Sequence, residues 1–349
     1  MTTDPLRSSE ALIAAGLLSS DERAHIDAVA ARYAVRVTPD VASLIDRDAP
    51  DDPVARQYLP RGEELRDAPE ELADPIGDQR RSPVKGVVHR YPDRALLLPI
   101  RACAVYCRFC FRREAVGPGK AALNRAELAA ALGYIRDHGE IWEVILTGGD
   151  PLLLSPRRLR ELIEALAAID HVAVIRIHSR VPMAATRRVT ARLVEALACD
   201  KALWLAIHAN HANEFGPSQR AAILKLSRAG IPLIGQTVLL SGVNDNAAAL
   251  EALFRVMVAN RIKPYYLHHP DLARGTGHFR IDIAQGQALC EQLRGRVSGL
   301  CQPTYVLDIP GGFGKVPLTP GNATREAGDG GWRIRDSAGN THGYPPGRD

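Results

Sequence analysis

Short apolar runs alternating with helical stretches constrain this chain most. The runs are Ala95–Ile100, Val144–Thr147, Val172–Ile177, Ala202–Ile207, Leu233–Leu240 and Pro264–Leu267. Between and after them lie helical patterns near 125–137, 156–168, 184–198, 217–229, 246–260 and 282–297. Each run has the length of a buried strand, and strand–helix units in series imply a parallel sheet whose faces are covered by the helices. An eight-fold barrel needs two more units than the chain clearly supplies. The expected fold is therefore α/β, a partial (β/α)6 barrel, with its site at the C-terminal ends of the strands.

The flanks read differently. Residues 1–85 form a helical and irregular segment that wraps something larger. In it Ser20-Asp21-Glu22 precedes an apolar-periodic stretch through Ala31, the pattern of a capped helix, and residues 48–83 are rich in Pro, Asp, Glu and Arg. The barrel is expected over 86–318. The tail, 319–349, is polar and Gly/Pro-rich, and Trp332–Arg335 with Thr341–Tyr344 around Asp336–Asn340 reads as a terminal hairpin. With 44 Lys+Arg against 40 Asp+Glu, the net charge of +4 is spread along the 349 residues and gives no reason to expect a nucleic-acid partner. The apolar run Ala11–Leu18 is too short to span a bilayer and lacks a basic flank, so a cytoplasmic protein with no membrane partner is expected.

Three of the six cysteines fall within eight residues, as Cys103-Ala-Val-Tyr-Cys107-Arg-Phe-Cys110. The loop follows the first barrel strand, where a site belongs, and three thiolates on one short loop can converge on a soft metal centre. A structural zinc or a complete Fe–S cluster usually takes four ligands, so either a distant residue completes the set or one position is left open. Cys199, Cys290 and Cys301 are candidates for the distant ligand, although each sits in an apolar or helical context typical of ordinary core.

The Cys-x3-Cys-x2-Cys spacing resembles the signature of the radical S-adenosylmethionine (SAM) superfamily. The resemblance implies a [4Fe–4S] cluster on Cys103, Cys107 and Cys110, with SAM on the fourth iron, and a one-electron reductant. It also implies that Gly148, Gly149 and Asp150, in Leu146-Thr147-Gly148-Gly149-Asp150, meet the methionine part of SAM. Paired glycines after a strand let backbone come close to a ligand.

Several further segments are similar to the lysine 2,3-aminomutase family. They are His89–Arg94, Cys110–Arg113, Gly235–Leu240, Val243–Asp245 and Pro310–Lys315, and they recur in the family's order from about residue 85 to the hairpin. Members of that family move an amino group from Cα to Cβ of an amino acid with pyridoxal phosphate (PLP) beside SAM. Read physically, Gly311, Gly312 and Gly314 clear space around Lys315, and a lysine amine in a desolvated site can condense with a carbonyl cofactor. A nucleotide-phosphate loop fails here, because Ile309 and Val316 break its pattern. By resemblance Lys315 is the PLP lysine. Arg90, Tyr91 and Arg94 match the segment that holds PLP, and Arg112 matches the arginine of the substrate carboxylate. Gln236 and His208 match polar positions near SAM, and Arg180 matches a residue that reaches SAM's carboxylate. Arg113 is taken as a structural neighbour.

Substrate choice turns on charge. A buried ε-ammonium needs acidic partners. The family's lysine enzymes place one aspartate in an Asp-Leu pair after the sixth strand and another seven residues before the PLP lysine. This chain has Asp271-Leu272 and Asp308 at those places. The resemblance thus implies an isomerase that turns L-lysine into β-lysine. The short build also resembles the branch whose (R)-β-lysine is attached to elongation factor P. No structural zinc is expected, since no cysteine follows Cys301 and Asn246 stands at a zinc-cysteine position; a homo-oligomer is left open. Phe109, beside the cluster where the family commonly has His, is expected to make an aromatic contact. The rival readings are an aminomutase for another amino acid, a radical SAM enzyme without PLP, and a non-enzymatic Fe–S protein.

Overall fold

The computed structural model describes residues 4–318, 323–325, 331–336 and 340–345. Nine strands form one sheet in sequential order: β1 (Val87–Tyr91), β2 (Arg94–Ile100), β3 (Glu143–Gly148), β4 (Val174–Ser179), β5 (Ala202–His208), β6 (Leu233–Val238), β7 (Ile262–His268), β8 (Thr304–Ile309) and β9 (Gly314–Pro317). Strands β2 to β8 pair in parallel, while β1 and β9 are antiparallel caps on the two edges. The sheet curls until its edges meet: the Lys315 N–H on β9 donates to the Tyr91 hydroxyl on β1 at 2.5 Å. All six expected strand–helix units are present, and β8 adds a seventh parallel strand. Its sequence, Thr-Tyr-Val-Leu-Asp-Ile between Pro303 and Pro310, is short and interrupted by the charged Asp308, which is why its apolar signal is weak.

The outer layer is made by α-helices over Arg125–Asp137, Pro156–Ala167, Pro217–Arg228, Ala247–Ala259 and Ile283–Leu293. Their starts follow ordinary capping chemistry. Asn124, Ser155, Asn246 and Asp282 each accept a first-turn N–H. The stretch read as one helix over 184–198 is broken instead into Val181–Ala184 and Ala191–Glu195. Thr190 caps the second piece through Leu193 N–H, so the Val189-Thr190 junction is a boundary. One core of Leu, Ile and Val side chains from strands and helices fills the space between sheet and outer layer.

The N-terminal segment has a small core of its own. Leu12, Val37, Val41, Val54, Tyr58 and Leu59 pack together and against Val105, from the cysteine loop, and Ala184. Its longest helix is Arg23–Arg32, preceded by a turn that Ser19 and Glu22 close as a capping box. The segment then runs across the mouth of the barrel. Leu72 N–H donates to Leu272 O at 2.7 Å, and Gly311 N–H donates to Pro75 O at 3.2 Å. The C-terminal hairpin is present as Trp332–Arg335 paired with Thr341–Tyr344, joined by a third strand, Ala323–Arg325. The residues of its expected turn at 337–339, and Thr319 at the start of the tail, lie outside the described residues. No helix among the described residues is long and apolar enough to cross a membrane.

Candidate active site

The cysteine loop leaves the C-terminal end of β2. Cys103, Cys107 and Cys110 line one small cavity with Tyr33, Tyr106 and Arg113. Burial pushes the Cys103 thiol well up and the Cys110 thiol to about 11, and each neighbouring thiolate adds to the shift. Cys103 and Cys110 ionise together more readily with a cationic centre beside them. Among the described residues no three His, Cys, Asp or Glu side chains converge on a point that would hold a single ion. Cys199 and Cys301 stand just ahead of β5 and β8, and Cys290 lies on the Ile283–Leu293 helix, so none of the three belongs to the loops at the strands' C-terminal ends.

The loop is braced from beneath. Glu64, fully buried, takes Arg108 Nε at 2.9 Å, Arg108 Nη2 at 2.5 Å and an ion pair from Arg113. Burial alone would raise this carboxyl, but the two guanidiniums outweigh it and hold Glu64 below the usual range. Arg113 also lies 3.5 Å from the centre of the Tyr33 ring. On the far side, Arg180 Nη1 donates to Cys107 Sγ at 3.0 Å, with its guanidinium 5.2 Å from the Tyr58 and Phe109 rings. Phe109 thus makes the aromatic contact expected of it, and it also meets Phe279 edge-on.

Gly148, Gly149 and Asp150 make close contacts within the protein. A Cβ on Gly149 would lie 2.2 Å from Ala102 O, and one on Gly148 would lie 2.9 Å from Ile100 O. The space they vacate is taken by the entry to the cysteine loop. The Asp150 carboxylate is committed to protein donors: Leu152 N, Ser179 Oγ, Arg180 N and Val181 N, at 2.7–3.1 Å. It locks β3 to β4 and sets Arg180 in place. His208 and Gln236 are register partners on β5 and β6. Burial drives the His208 imidazole down to about 3, with Arg180 adding to the effect, so the ring is neutral.

The second centre lies where β7, β8, β9 and β1 meet. Lys315 Nζ forms an ion pair with Asp308 and lies 3.2 Å from His268 Nδ1. Burial, with the Lys315 charge adding to it, lowers His268 to about 4. For Asp308 the burial effect is overcome by Lys315 and His268, and its carboxyl is held well below the carboxylate range. Asp271 is the opposite case. Burial and the Asp308 charge push it up to about 8, and among the described residues no donor reaches its carboxyl group.

Arg90 and Arg112 converge on a residue that the sequence did not single out, Asp78. Arg112 Nε donates to Asp78 Oδ2 at 2.7 Å, and Arg90 Nη2 donates to Asp78 Oδ1 at 3.3 Å. Arg90 Nη1 is also 3.8 Å from Asp308 Oδ1. Arg94 stands apart at the start of β2, stacked 3.8 Å from the Tyr91 ring centre and paired with Asp93; it meets this group only through Tyr91. His268, Glu64 and Asp78 were the main omissions. His268 ends the β7 run just ahead of Pro270-Asp271 and so carried a signal, whereas Asp78 lies in an irregular stretch and carried none.

Comparison with known proteins settles the family. The Radical SAM superfamily model matches residues 97–253, and the Lysine-2,3-aminomutase model matches residues 290–329. The L-lysine 2,3-aminomutase of Acetoanaerobium sticklandii is 44% identical over 284 residues, covering 81% of this chain and 69% of that protein. The L-lysine 2,3-aminomutase of Escherichia coli is 39% identical, covering 82% and 83%. The glutamate 2,3-aminomutase of Clostridioides difficile is 34% identical, covering 87% and 72%. The chain belongs to the lysine 2,3-aminomutase family of radical SAM enzymes. It is accordingly an isomerase whose cofactors are a [4Fe–4S] cluster, SAM and PLP.

The residues present fit a lysine 2,3-aminomutase's cofactors. Three half-buried thiols line one cavity for the cluster. For PLP there is a half-buried lysine on β9, entered through a turn in which Gly311, Gly312 and Gly314 all have positive φ. Beside it, Arg90 Nε is buried without a partner, an open donor for a phosphate oxygen.

Proposed function

We propose that this enzyme converts L-lysine to β-lysine, with Asp271 and Asp308 receiving the substrate ε-ammonium and Arg112 its carboxylate. The observation that carries the substrate choice is the acidic pair. Asp308 is neutralised by Lys315, while burial and the Asp308 charge drive Asp271 toward its protonated form, and Lys315 and Arg112 offset this only in part. A cationic side chain arriving between them would relieve that repulsion. A glutamate side chain would add a third carboxylate to it.

The cluster with SAM supplies a carbon radical able to take a hydrogen from an unactivated C–H bond, and PLP supplies the conjugated carbonyl that carries the amino group between adjacent carbons. Cys103, Cys107 and Cys110 would hold the cluster, with the Arg180 guanidinium donating to Cys107. His208 and Gln236 would line the SAM side. Lys315 would hold PLP, with Arg90 toward its phosphate and Tyr91, stacked under the Arg94 guanidinium, fixing the Lys315 backbone. Arg112 at one end and the two aspartates at the other would stretch the substrate between them, so that Cα and Cβ sit at a fixed height over the site. That is positioning catalysis, and the neutral His178, His208 and His268 lower the charge cost of a closed site. The reaction draws on a one-electron reductant, and we place it in the cytoplasm.

The test is anaerobic reconstitution with iron, sulfide and PLP, followed by SAM, dithionite and L-lysine. β-Lysine is expected, and Asp308→Asn should lower lysine turnover by roughly a hundredfold or more, as loss of a buried charge partner does. Turnover of L-glutamate but not L-lysine would sink the substrate reading. Adding the product to a charging assay with elongation factor P decides whether that protein is its recipient.

A further inference from the structure

Asp78 lies outside the sequence motifs of the barrel, yet it touches both Arg90 and Arg112. We propose that Asp78 is a positioning residue that aims Arg112 at the substrate carboxylate and Arg90 at the cofactor phosphate. The proposal rests on the roles given above to those two arginines.

The geometry is lateral. Asp78 takes Arg112 through Nε, and Nη1 of that guanidinium leans on Thr147 Oγ1 at a long 3.4 Å. Nη2 of Arg112 has no acceptor among the described residues. Arg90 gives one nitrogen, Nη2, to both Asp78 and Ile76 O, and its buried Nε stays unpartnered. Each guanidinium is thus gripped from one side and leaves donors open, which suits an arginine waiting for an anion.

The grip is itself anchored. The Asp74 carboxylate accepts from Asp78 N at 2.9 Å and from Gln79 N at 2.8 Å. Gly77 has φ +67, and a Cβ there would lie 2.7 Å from Gly311 C. Backbone is therefore pressed on backbone where the N-terminal segment meets the Lys315 loop. Asp78 supplies the carboxylate that Arg90 and Arg112 share.

The test uses the PLP-loaded enzyme without SAM or reductant. L-Lysine and cadaverine, which has both amines but no carboxylate, are titrated by calorimetry, and PLP is titrated into the PLP-free protein by absorbance. For Asp78→Ala we expect L-lysine affinity to fall roughly tenfold, cadaverine affinity to stay within about twofold, and PLP affinity to fall several-fold. Asp78→Asn, which keeps the side chain's shape, carries the same test if the alanine variant does not fold. An unchanged lysine-to-cadaverine ratio, or tighter lysine binding because Asp78 competes with the carboxylate, overturns the proposal. If Arg112→Ala leaves that ratio unchanged, it is the carboxylate role of Arg112 that has failed, and Asp78 falls with it.

Discussion

Around the cysteine loop, Glu64, Arg108, Arg113, Asp150 and Arg180 each find a charged or hydrogen-bonding partner within the protein. Around Lys315 one group is unmatched: among the described residues no hydrogen-bond donor reaches the Asp271 carboxyl group, whereas Arg90 and Arg113 alike keep a buried Nε without an acceptor. The contrast separates two kinds of site. The first is a frame of matched charges around the cysteine loop. The second is an open set of charges that a bound ion could complete. The first should fail by unfolding and the second by losing ligands.

The largest expected effect falls on the frame. Glu64 sits between two arginines with no exposure, so Glu64→Gln leaves a buried guanidinium uncompensated and should cost about 3–5 kcal/mol. A chemical denaturation curve of the ligand-free protein measures it. A loss below about 1 kcal/mol would mean that solvent or a neighbouring acid takes over, and that the frame is softer than its contacts imply.

A matched pair of glycine substitutions sharpens the contrast. Gly149→Ala puts a methyl group into Ala102 O, next to Cys103, and Gly77→Ala puts one into Gly311, next to Lys315. Each should cost about 1–3 kcal/mol. Gly149→Ala should lower iron incorporation while sparing PLP affinity, and Gly77→Ala should do the reverse. Equal loss of iron and PLP in both variants would show that the two ends are one cooperative unit.

The same contrast explains what could be read from the sequence. The cysteine end is local: three ligands within eight residues, followed by a Gly-Gly-Asp turn, all on one strand–helix rhythm. The lysine end gathers residues 78, 90–91, 268–271 and 308–315, and only tertiary folding brings them together. Lys315, Asp308 and Asp271 were legible through their spacing in a family pattern. Asp78 was not, because it lies in an irregular segment whose path is set by contacts with the barrel and not by its own periodicity. The glycines were legible as close-approach positions, but what approaches Gly149 is the chain's own loop, which no strand pattern reveals. The broken helix at 184–198 was missed because a helical period survives a boundary that the Thr190 cap imposes.

The last test probes Asp271. Its carboxyl is raised from the ordinary value to about 8 in the folded ligand-free protein, by burial first and by Asp308 second. A carboxyl whose folded pKa is raised stabilises the fold fully only at pH below its unfolded value, near 4, and that contribution is lost as pH rises toward 8. Ligand-free protein should therefore lose stability over this window, and Asp271→Asn, which cannot ionise, should flatten that part of the profile. Melting temperatures of the two proteins should agree near pH 4–5 and diverge toward pH 8, with the asparagine variant higher. L-Lysine should reverse the trend, because an ammonium beside Asp271 favours its charged form, and binding at pH 7 should release a fraction of a proton. Calorimetry in two buffers of different ionisation enthalpy reads that proton directly. Release that persists in Asp271→Asn would assign the titrating group elsewhere, and the open character of the lysine end would then lose its support.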